Sequence, residues 1–350
     1  MKPRVLAVRL DNDGDVLLTG PAVRALASAA SSVTLWCGPR GAAAARLLPG
    51  VDGVLVHRAE WIDPEPEPLD RQAVTALVDE LAEGSFDQAF IFTSFHQSPL
   101  PAALLLKMAG IGFVAAISDD YPGSLLDLRH RTPDDQHEVT RSLGLVEAAG
   151  YRLPPADDGR LAVLVPETNS LELPAPYVVV HPGASVPARA WEPEKNRTLV
   201  KELAQRGDNV VVTGGPSETA LTAYVAGPEH PRVTNLGGAT DLIVLAEILA
   251  GAEVVVVGNT GPTHLAAAVG TPVVCLFAPT VPAVRWRPWG VDHVLLGDQE
   301  IGCAGCRARM CPVEGHPCLS TVSVESVLDA MDSIRLVNTQ GGPALAEAAR

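Results

Sequence analysis

Residues 253–279 read EVVVVGNTGPTHLAAAVGTPVVCLFAP, and this stretch decides the fold. Its four consecutive valines, Val254–Val257, form the short apolar, β-branched run that is typical of a buried parallel strand. A polar turn follows, then an apolar segment over Leu265–Val269 that predicts a helix, and a second strand over Val273–Phe277. A succession of strand, turn, helix and strand is the unit from which parallel sheets are built.

The polar turn GNTGPTH is the first candidate for a binding site. In an open parallel sheet, ligands bind beyond the carboxyl ends of the strands. A helix N-terminus at that edge offers unpaired N–H groups and a positive dipole end to an anion. The same residues also have a purely structural interpretation, in which Thr263 caps the helix and His264 is a structural hydrogen-bonding side chain.

The same alternation of strands and helices extends over the rest of the chain. One series runs from a strand at Val5–Leu10 to a helix at His137–Ala149, and a second begins with a strand at Tyr177–His181. Between them, Tyr151–Pro176 is rich in proline and lacks periodicity, which is typical of a linker. The sequence therefore predicts an α/β protein of two Rossmann-like, doubly wound domains, and we expect a cleft where the domains face each other.

Size and charge limit the classes of function. A chain of 350 residues with 47% hydrophobic content fits two domains of common size. Its net charge of −15 argues against a broad nucleic-acid surface or adhesion to anionic lipid, so an anionic ligand needs a local basic group. No run approaches the roughly 18 apolar residues of a membrane span. The N-terminus, MKPRVLAVRLDND, does not resemble a secretory signal, and we expect a cytoplasmic protein.

Three loops of the second half each follow a predicted strand and combine glycine with polar residues. They are residues 181–191, HPGASVPARAW, residues 213–218, TGGPSE, and the turn GNTGPTH. In the first loop, Arg189 offers a bidentate partner for phosphate, although an arginine in an acidic protein is equally suited to a surface ion pair. In the second, Glu218 is placed to accept ribose hydroxyls, whereas Ser217 could simply cap a turn. Together at one sheet edge, the loops indicate a nucleotide-like ligand.

Several strings, in their order along the chain, resemble a known family. RLDNDGDVLLTGPAVRAL, HPGASVPARAWEPE, GGPSE and GNTGPTHLAAAVGTPVVCLFAPT are similar to the signatures of the ADP-heptose:lipopolysaccharide heptosyltransferases, glycosyltransferase family 9. HEVTRSLGLVEAAG and a cluster of cysteines extend the resemblance over most of the chain. The resemblance implies the GT-B fold, with an acceptor-binding domain over residues 1–165 and a nucleotide-sugar-binding domain over residues 172–320. It also implies a C-terminal helix over residues 321–336 that returns to the first domain.

The same resemblance implies the reaction. A heptose or related sugar moves from a nucleotide-sugar donor, expected to be ADP-heptose, to a hydroxyl of a glycan or small-molecule acceptor. The anomeric configuration is inverted, and neither a metal nor a cofactor is required. A nucleotide-sugar hydrolase or epimerase of the same fold, or a non-catalytic sugar-nucleotide-binding protein, is the alternative.

In the first domain, Asp15 matches the general base of the family. A carboxylate on a loop at the end of a strand is suited to take the proton from an attacking hydroxyl. The alternative is that Asp15 caps the N-terminus of a helix predicted over Val16–Ala30. The neighbouring string Asp11-Asn12-Asp13 precedes this helix and is interpreted as turn chemistry. His96 is a plausible acceptor contact, although an exposed histidine is more often incidental.

In the second domain, the resemblance assigns the donor site residue by residue. Arg189 stands where many members have lysine, and implies a contact with the diphosphate that Ser185 supplements. Glu218 resembles the acid that binds ribose, and Thr240 with Asp241 falls where the base is held. Thr260, Gly261 and His264 match the family's Asp-Thr/Ser-Gly-x-x-His element, but Asn259 replaces the usual aspartate. Because asparagine both donates and accepts hydrogen bonds, this change leaves the identity of the sugar open.

The cysteines fall into two groups. Cys37 and Cys275 stand alone in apolar, strand-like segments and are predicted core residues. Cys303, Cys306, Cys311 and Cys318 cluster near His316, and four such ligands are able to hold a structural zinc ion. Their spacing is not that of a standard zinc finger. The family resemblance implies instead a loop-stabilising cluster, either reduced or disulfide-linked, and no metal in the active site.

Overall fold

The computed structural model describes residues 1–133, 135–166 and 171–340, without the side chains of 338–340. The chain divides into two compact units, Met1–Leu164 and Val165–Arg350. This division falls within the predicted linker, of which residues 167–170 lie outside the described part of the chain.

The first unit is a six-stranded parallel sheet with helices on its connections. Its strands are ordered β3-β2-β1-β4-β5-β6. They are β1 (Arg4–Arg9), β2 (Ser32–Cys37), β3 (Gly53–Val56), β4 (Gln88–Ile91), β5 (Phe113–Ile117) and β6 (Leu128–His130). The helices are α1 (Asp13–Ala29), α2 (Ala42–Leu47), α3 (Arg71–Glu83), α4 (Leu100–Met108) and α5 (Glu138–Ala148).

The second unit repeats this arrangement. Its parallel strands are ordered β12-β11-β10-β7-β8-β9. They are β7 (Tyr177–His181), β8 (Asn209–Val212), β9 (Val233–Asn235), β10 (Val254–Gly258), β11 (Val273–Leu276) and β12 (His293–Leu296). The helices are α6 (Pro193–Arg206), α7 (Thr219–Ala226), α8 (Leu242–Ala250), α9 (Gly261–Ala268), α10 (Ala283–Trp286), α11 (Pro317–Ser320) and α12 (Val324–Gln340).

Both sheets have the doubly wound order of a Rossmann fold, as predicted. The order reverses between β1 and β4 in the first unit and between β7 and β10 in the second. Such a reversal point is where the loops at the carboxyl edge part and leave room for a ligand. Each unit therefore has one preferred place for a site.

The four valines of the opening stretch explain why β10 lies at the centre of its sheet. Val254–Val257 are at most 1% exposed, with β7 on one side and β11 on the other. Fully burying a valine contributes about 1.5 kcal/mol or more, so a strand of four is strongly favoured where both faces are covered by helices.

Two helices begin earlier than the apolar pattern predicted. α1 begins at Asp13 instead of Val16, and α9 begins at Gly261 instead of Leu265. In both cases the first turn is polar, because acidic or hydroxyl side chains are favourable at a helix N-terminus. Asp15 consequently lies inside the first turn, and the interpretation of Asp15 as the cap of a helix starting at Val16 is wrong. The cap residue is Asn12.

Short elements at the periphery were missed by the sequence analysis. β6 and β12 are the last strands of their sheets, and α10 and α11 are four-residue helices. β6, with the sequence Leu-Arg-His, lacks the continuous apolar run by which buried strands are recognised, whereas β12 contains such a run at 294–296 and was overlooked.

The C-terminal helix α12 packs inside the second unit. Its residues Val327, Met331 and Ile334 are fully buried in the hydrophobic core that also contains Trp191 and Leu199. We expected this helix to return to the first domain, but its apolar face is part of the second unit's core. No helix in the described part of the chain is long and apolar enough to cross a bilayer.

Candidate active site

In the first unit, a buried charge cluster lies where the sheet order reverses. Arg9 is the last residue of β1 and is 1% exposed. Its Nε lies 2.9 Å from Asp11 Oδ2, and its Nη2 donates to Asp15 Oδ1 at 2.9 Å. Nη2 also donates to Ser94 Oγ, in the loop after β4, at 2.9 Å. A buried arginine demands such partners, since an uncompensated charge is costly to bury.

A second layer of charge comes from α5. Glu138, its first residue, is 1% exposed, and its Oε2 lies 3.7 Å from Arg9 Nη1. The other carboxylate oxygen accepts a hydrogen bond from Arg141 Nη1 at 2.5 Å. Burial alone would lower the pKa of Arg9, but the three carboxylates outweigh it and the pKa is raised. The guanidinium of Arg9 is therefore permanently charged and organises the carboxylates around it.

The three aspartates of the DND-G-D string have different environments. Asp11 is buried, is bound by the side-chain amide of Gln97, and has its pKa raised to about 6, chiefly by burial. Asp13 Oδ1 accepts the backbone N–H of Ala44 at 3.0 Å, which ties α1 to α2. The side chain of Asp15 is 19% exposed. Asp15 alone of the two carboxylates nearest to Arg9 thus combines a fixed orientation with substantial access to solvent.

His96 lies in the same loop as Ser94 and Gln97. It is exposed, and its ring meets Phe95 edge-on with centroids 5.3 Å apart. Ser94 accepts a hydrogen bond from Arg9, and Gln97 donates one to Asp11. The loop that carries His96 is therefore held in place by the buried charge cluster.

In the second unit, the predicted donor loops lie at one sheet edge and touch each other. A Cβ on Gly183 would come within 2.0 Å of Glu218 Oε1, which shows how closely the second loop covers the first. A Cβ on Gly258 would lie 3.0 Å from the carbonyl oxygen of Arg189, so the third loop also meets the first. Gly238, in the segment before Thr240, donates its N–H to the carbonyl of Gly214 at 2.8 Å.

Glu218 lies in a short 3₁₀ segment after β8. Its Oε2 accepts the N–H of Gly215 at 2.7 Å and lies 3.9 Å from His181 Nε2. His181 is buried, its Nδ1 lies 3.0 Å from Thr213 Oγ1, and burial lowers its pKa, so the ring is neutral at pH 7. The carboxylate of Glu218 is 21% exposed and is held in place from both sides.

Arg189 and Ser185 occupy the loop after β7. Arg189 ends a 3₁₀ segment, Pro187–Arg189, and its Nε donates to Thr280 Oγ1 at 3.1 Å. Ser185 is exposed in the same loop. Asp241 is the N-cap of α8, and its Oδ1 accepts the N–H of Val244 at 2.9 Å. Asp241 therefore has a structural role whether or not it also contacts a base.

The GNTGPTH turn forms the N-terminus of α9. Thr260 is the N-cap, Gly261 is the first helical residue, and His264 is 3% exposed in the helix. Thr263 accepts the N–H of Thr260 through Oγ1 at 3.5 Å, so its predicted capping role is also present. Asn259 is 3% exposed, and its buried Nδ2 has no hydrogen-bond partner in the described part of the chain. A donor buried in this way requires an acceptor, which a ligand oxygen can supply.

The four clustered cysteines line one pocket together with His316. They are free thiols, as are Cys37 and Cys275, which are fully buried in β2 and β11 as predicted. Burial raises the pKa of Cys318 to about 11, with the neighbouring thiols adding to the shift. Within the residues that the structure describes, no group of three or more histidine, cysteine or acidic side chains is arranged to hold a metal ion.

Sequence reasoning missed Arg9, Glu138, Gln97 and Thr280. Arg9 carried a signal, since a charged residue inside an apolar parallel strand must find buried partners. Glu138 and Arg141 are spaced for a helical ion pair, which also marked them. Gln97 and Thr280 are common loop residues, and nothing in their sequence context distinguished them.

Comparisons with known proteins agree with this architecture. The model of glycosyltransferase family 9 (heptosyltransferase) matches residues 74–316, which is more than half of the chain. Lipopolysaccharide heptosyltransferase 3 of Escherichia coli K12 is 36% identical over 126 residues, 35% of this chain and 36% of that protein. Lipopolysaccharide heptosyltransferase 1 of Pseudomonas aeruginosa is 28% identical over 329 residues, covering 88% of this chain and 87% of that protein.

A solved structure extends the agreement to the fold. The Escherichia coli heptosyltransferase WaaC with ADP-2-deoxy-2-fluoro heptose has a TM-score of 0.70 and 21% identity, with 94% of this chain and 99% of that chain covered. The match spans only 36% to 48% of the length of the first three curated relatives. The family model, together with two Rossmann-like units of the GT-B type, leads to one conclusion: the chain belongs to glycosyltransferase family 9.

Proposed function

We propose that the protein transfers a heptose, or a closely related sugar, from an ADP-linked donor to a hydroxyl of a glycan acceptor, with inversion and without a metal. A cytoplasmic location is part of this proposal. The observation that carries it is the state of Asp15, a partly exposed carboxylate in the first turn of α1 that is oriented by Arg9. A general base must be accessible and held in one orientation, and Asp15 has both of these properties.

The proposed reaction is a single displacement. The acceptor oxygen bonds to the anomeric carbon as the bond from that carbon to the diphosphate breaks, and Asp15 takes the proton of the acceptor hydroxyl. Negative charge develops on the departing ADP. Arg189 and the N–H groups at the start of α9 are suited to stabilise it, since preorganised donors of this kind contribute on the order of 10²–10³ in rate each.

The donor is assigned to the second unit. Arg189, supplemented by Ser185, binds the diphosphate, Glu218 accepts from the ribose hydroxyls, and the segment at Thr240 and Asp241 holds the base. Asn259, Thr260, Gly261 and His264 are assigned to the sugar and its phosphate. Support for an ADP-heptose comes from WaaC, whose structure contains an ADP-linked fluoroheptose. For the acceptor, the core of lipopolysaccharide is the first candidate, because the similar proteins are lipopolysaccharide heptosyltransferases.

The experiment compares Asp15→Asn and Asp15→Ala with the wild type in ADP release and ADP binding. Both variants should lose acceptor-dependent ADP release by 10²-fold or more, because a general base contributes about 10²–10⁴ in rate. Binding of ADP should stay within twofold. The matched control is Asp13→Asn, in the same helical turn, whose carboxylate binds the backbone of Ala44. Unchanged turnover in both Asp15 variants would remove Asp15 from this role.

A hydrolase, epimerase or binding protein is the second candidate, and Asn259 is the observation that favours it. Asparagine stands where the family has an acid, and its Nδ2 is a buried donor that awaits an acceptor. Incubation with a panel of ADP-, UDP- and GDP-linked sugars, with and without lipopolysaccharide core acceptor, separates the two. Release of the nucleoside diphosphate only when acceptor is present supports transfer, and equal release without acceptor supports hydrolysis.

A further inference from the structure

The cysteine loop, residues 303–318, has a structural relation to Arg189 that its spacing does not reveal. Four of its backbone or side-chain groups form hydrogen bonds with Ala188, which precedes Arg189, or with the segment Pro279–Thr280. We infer that the cysteine loop positions Arg189 for the donor diphosphate, through a two-point clamp on Ala188 and a bridge through Thr280. This inference rests on the proposed contact of Arg189 with the diphosphate.

The clamp on Ala188 uses both of its backbone polar groups. The N–H of Ala188 donates to the carbonyl of Arg309 at 3.0 Å. His316 Nε2 lies 3.0 Å from the carbonyl oxygen of Ala188. Because that oxygen only accepts, the ring of His316 must carry its proton on Nε2. The residue immediately before Arg189 is thus held on both sides by one loop.

The bridge through Thr280 reaches the side chain of Arg189. Thr280 is 3% exposed, and its Oγ1 accepts from Arg189 Nε at 3.1 Å. The carbonyl of Thr280 accepts the N–H of Arg307 at 2.9 Å, and the carbonyl of Pro279 accepts the N–H of Gly305 at 2.7 Å. The cysteine loop therefore fixes the partner that sets the orientation of the guanidinium.

The four thiols of the cysteine loop lie beside the residues that hold Arg189. The four cysteines line a pocket whose remaining wall includes Ala188, Pro279 and Thr280. Cys318 is buried in the core of the second unit, where it packs with apolar side chains. His316 has a φ of 47°, in the left-handed region, and its ring contacts the carbonyl of Ala188. Left-handed backbone at a residue other than glycine is held only by its surroundings.

The consequence is preorganisation. A flexible arginine loses rotamer freedom when it binds a phosphate, whereas one already fixed by its neighbours loses less and binds more tightly. Arg189 has its preceding residue clamped and its Nε engaged, so the cysteine loop raises the affinity for a nucleoside diphosphate by way of Arg189. His316 and Thr280 are positioning residues in this sense.

The test measures the clamp and its effect separately, with ADP as the probe. His316→Asn removes the imidazole while asparagine still tolerates the left-handed backbone. Amide hydrogen exchange over residues 186–192 should become at least tenfold faster, and the affinity for ADP should fall about tenfold. His316→Gln, whose amide can reach toward Ala188, should restore most of both. The matched control is His230→Asn, at an exposed histidine before β9 that should leave both unchanged.

Thr280→Val provides a second variant that keeps the shape of the side chain. It should weaken ADP binding without changing the amide exchange of residues 186–192. If His316→Asn does not fold, this variant still tests the bridge, and unchanged ADP affinity in Thr280→Val would overturn it. Exchange in His316→Asn equal to the wild type would overturn the clamp. Faster exchange with unchanged ADP affinity would overturn the link to Arg189. If the wild type binds no ADP, the proposed donor fails, and the exchange experiment still decides whether the loop holds Ala188.

Discussion

At the scale of single residues, Arg9 is the group on which the first unit's site depends. One buried guanidinium contacts three carboxylates, those of Asp11, Asp15 and Glu138. Replacing a buried pair by apolar residues can be neutral, but removing one partner leaves the other charges buried and uncompensated. The arrangement therefore links the stability of the unit to the orientation of the proposed base.

This dependence gives a prediction for Arg9→Gln. The free energy of unfolding should fall by about 3–5 kcal/mol, as is usual when a buried ion pair loses one member. The free energy of unfolding of Arg9→Lys should lie between those of Arg9→Gln and the wild type, because lysine keeps the charge but lacks the forked geometry. Urea denaturation measures both. Arg160→Gln is the control, since Arg160 and its partner Asp158 are 66% exposed and such a pair contributes about 0–1 kcal/mol. Equal losses at the two sites would contradict the assignment.

Asp11 gives the first unit a predicted dependence on pH. Burial raises its pKa to about 6, from an ordinary value of 3.8. Between these values the folded protein holds a proton that the unfolded chain releases, so this group's contribution to stability falls as pH rises and is constant above about pH 6. The free energy of unfolding of Asp11→Asn, measured relative to that of the wild type, should therefore rise by up to about 3 kcal/mol between pH 4 and pH 6.

The measurement is a series of urea titrations of the variants and the wild type from about pH 3 to pH 7, which includes the region below the ordinary aspartate pKa of about 3.9. Asp63→Asn is a control of opposite sign. The backbone N–H of Glu65 and nearby arginines lower the pKa of Asp63, so its contribution is present above its unfolded pKa and is lost as pH falls. A difference between Asp11→Asn and the wild type that does not change with pH would show that Asp11 is not protonated in the folded protein.

The residues also show how far sequence reasoning reaches. Arg189 was singled out because its loop combines glycine with charge after a strand, whereas Asp15 was assigned through the family resemblance. Arg9, Gln97 and Thr280 were not, because they act through contacts between loops that are distant along the chain. Spacing within one loop carries no information about which other loop folds against it.

At the scale of elements, the strongest predictions concerned central strands. β7 has the predicted bounds, Tyr177–His181, and β10 extends the predicted Val254–Val257 by one residue. The errors lie at helix N-termini and at sheet edges. The first turns of α1 and α9 are polar, and hydrophobic periodicity identifies only the part of a helix that faces the core.

Asp241 connects an element to the proposed site and leads to a prediction. As the N-cap of α8 it accepts the N–H of Val244. Asp241→Ala should lower the free energy of unfolding by about 1 kcal/mol, while Asp241→Asn should cost less, because asparagine is an equally good cap. Chemical denaturation measures the stability of each variant, and ADP titration measures binding.

The two variants also separate capping from contact with the base. If Asp241 holds the base, both variants weaken ADP binding, whereas a purely structural role leaves Asp241→Asn with the wild-type affinity. Val244→Ala, which changes the same helical turn without removing the cap, controls for general loosening of α8. A stable Asp241→Ala would contradict the observed cap.

At the scale of the whole molecule, alternation of strands and helices was enough to predict two doubly wound units. Each apolar strand run marks a layer covered on both faces, and parallel sheets of this kind are buried nearly throughout. Of the outermost strands, β6 was missed because its sequence, Leu-Arg-His, has no apolar run. The C-terminal helix was misplaced because its apolar face indicates that it packs on a core but not on which one.

The last prediction concerns the whole reaction. The protein carries a net charge of −15, yet its proposed leaving group is itself anionic. If Arg189 and the N-terminus of α9 offset that charge, no divalent metal is needed. Transfer should then proceed within twofold of its original rate after dialysis against EDTA, whereas Arg189→Ala should lose on the order of 10²–10³ in rate. Metal content is measured before and after dialysis, so that removal of any bound metal is verified. A rate that falls on dialysis and returns only with added Mg²⁺ would show that a metal, and not Arg189 alone, carries the charge of the departing diphosphate.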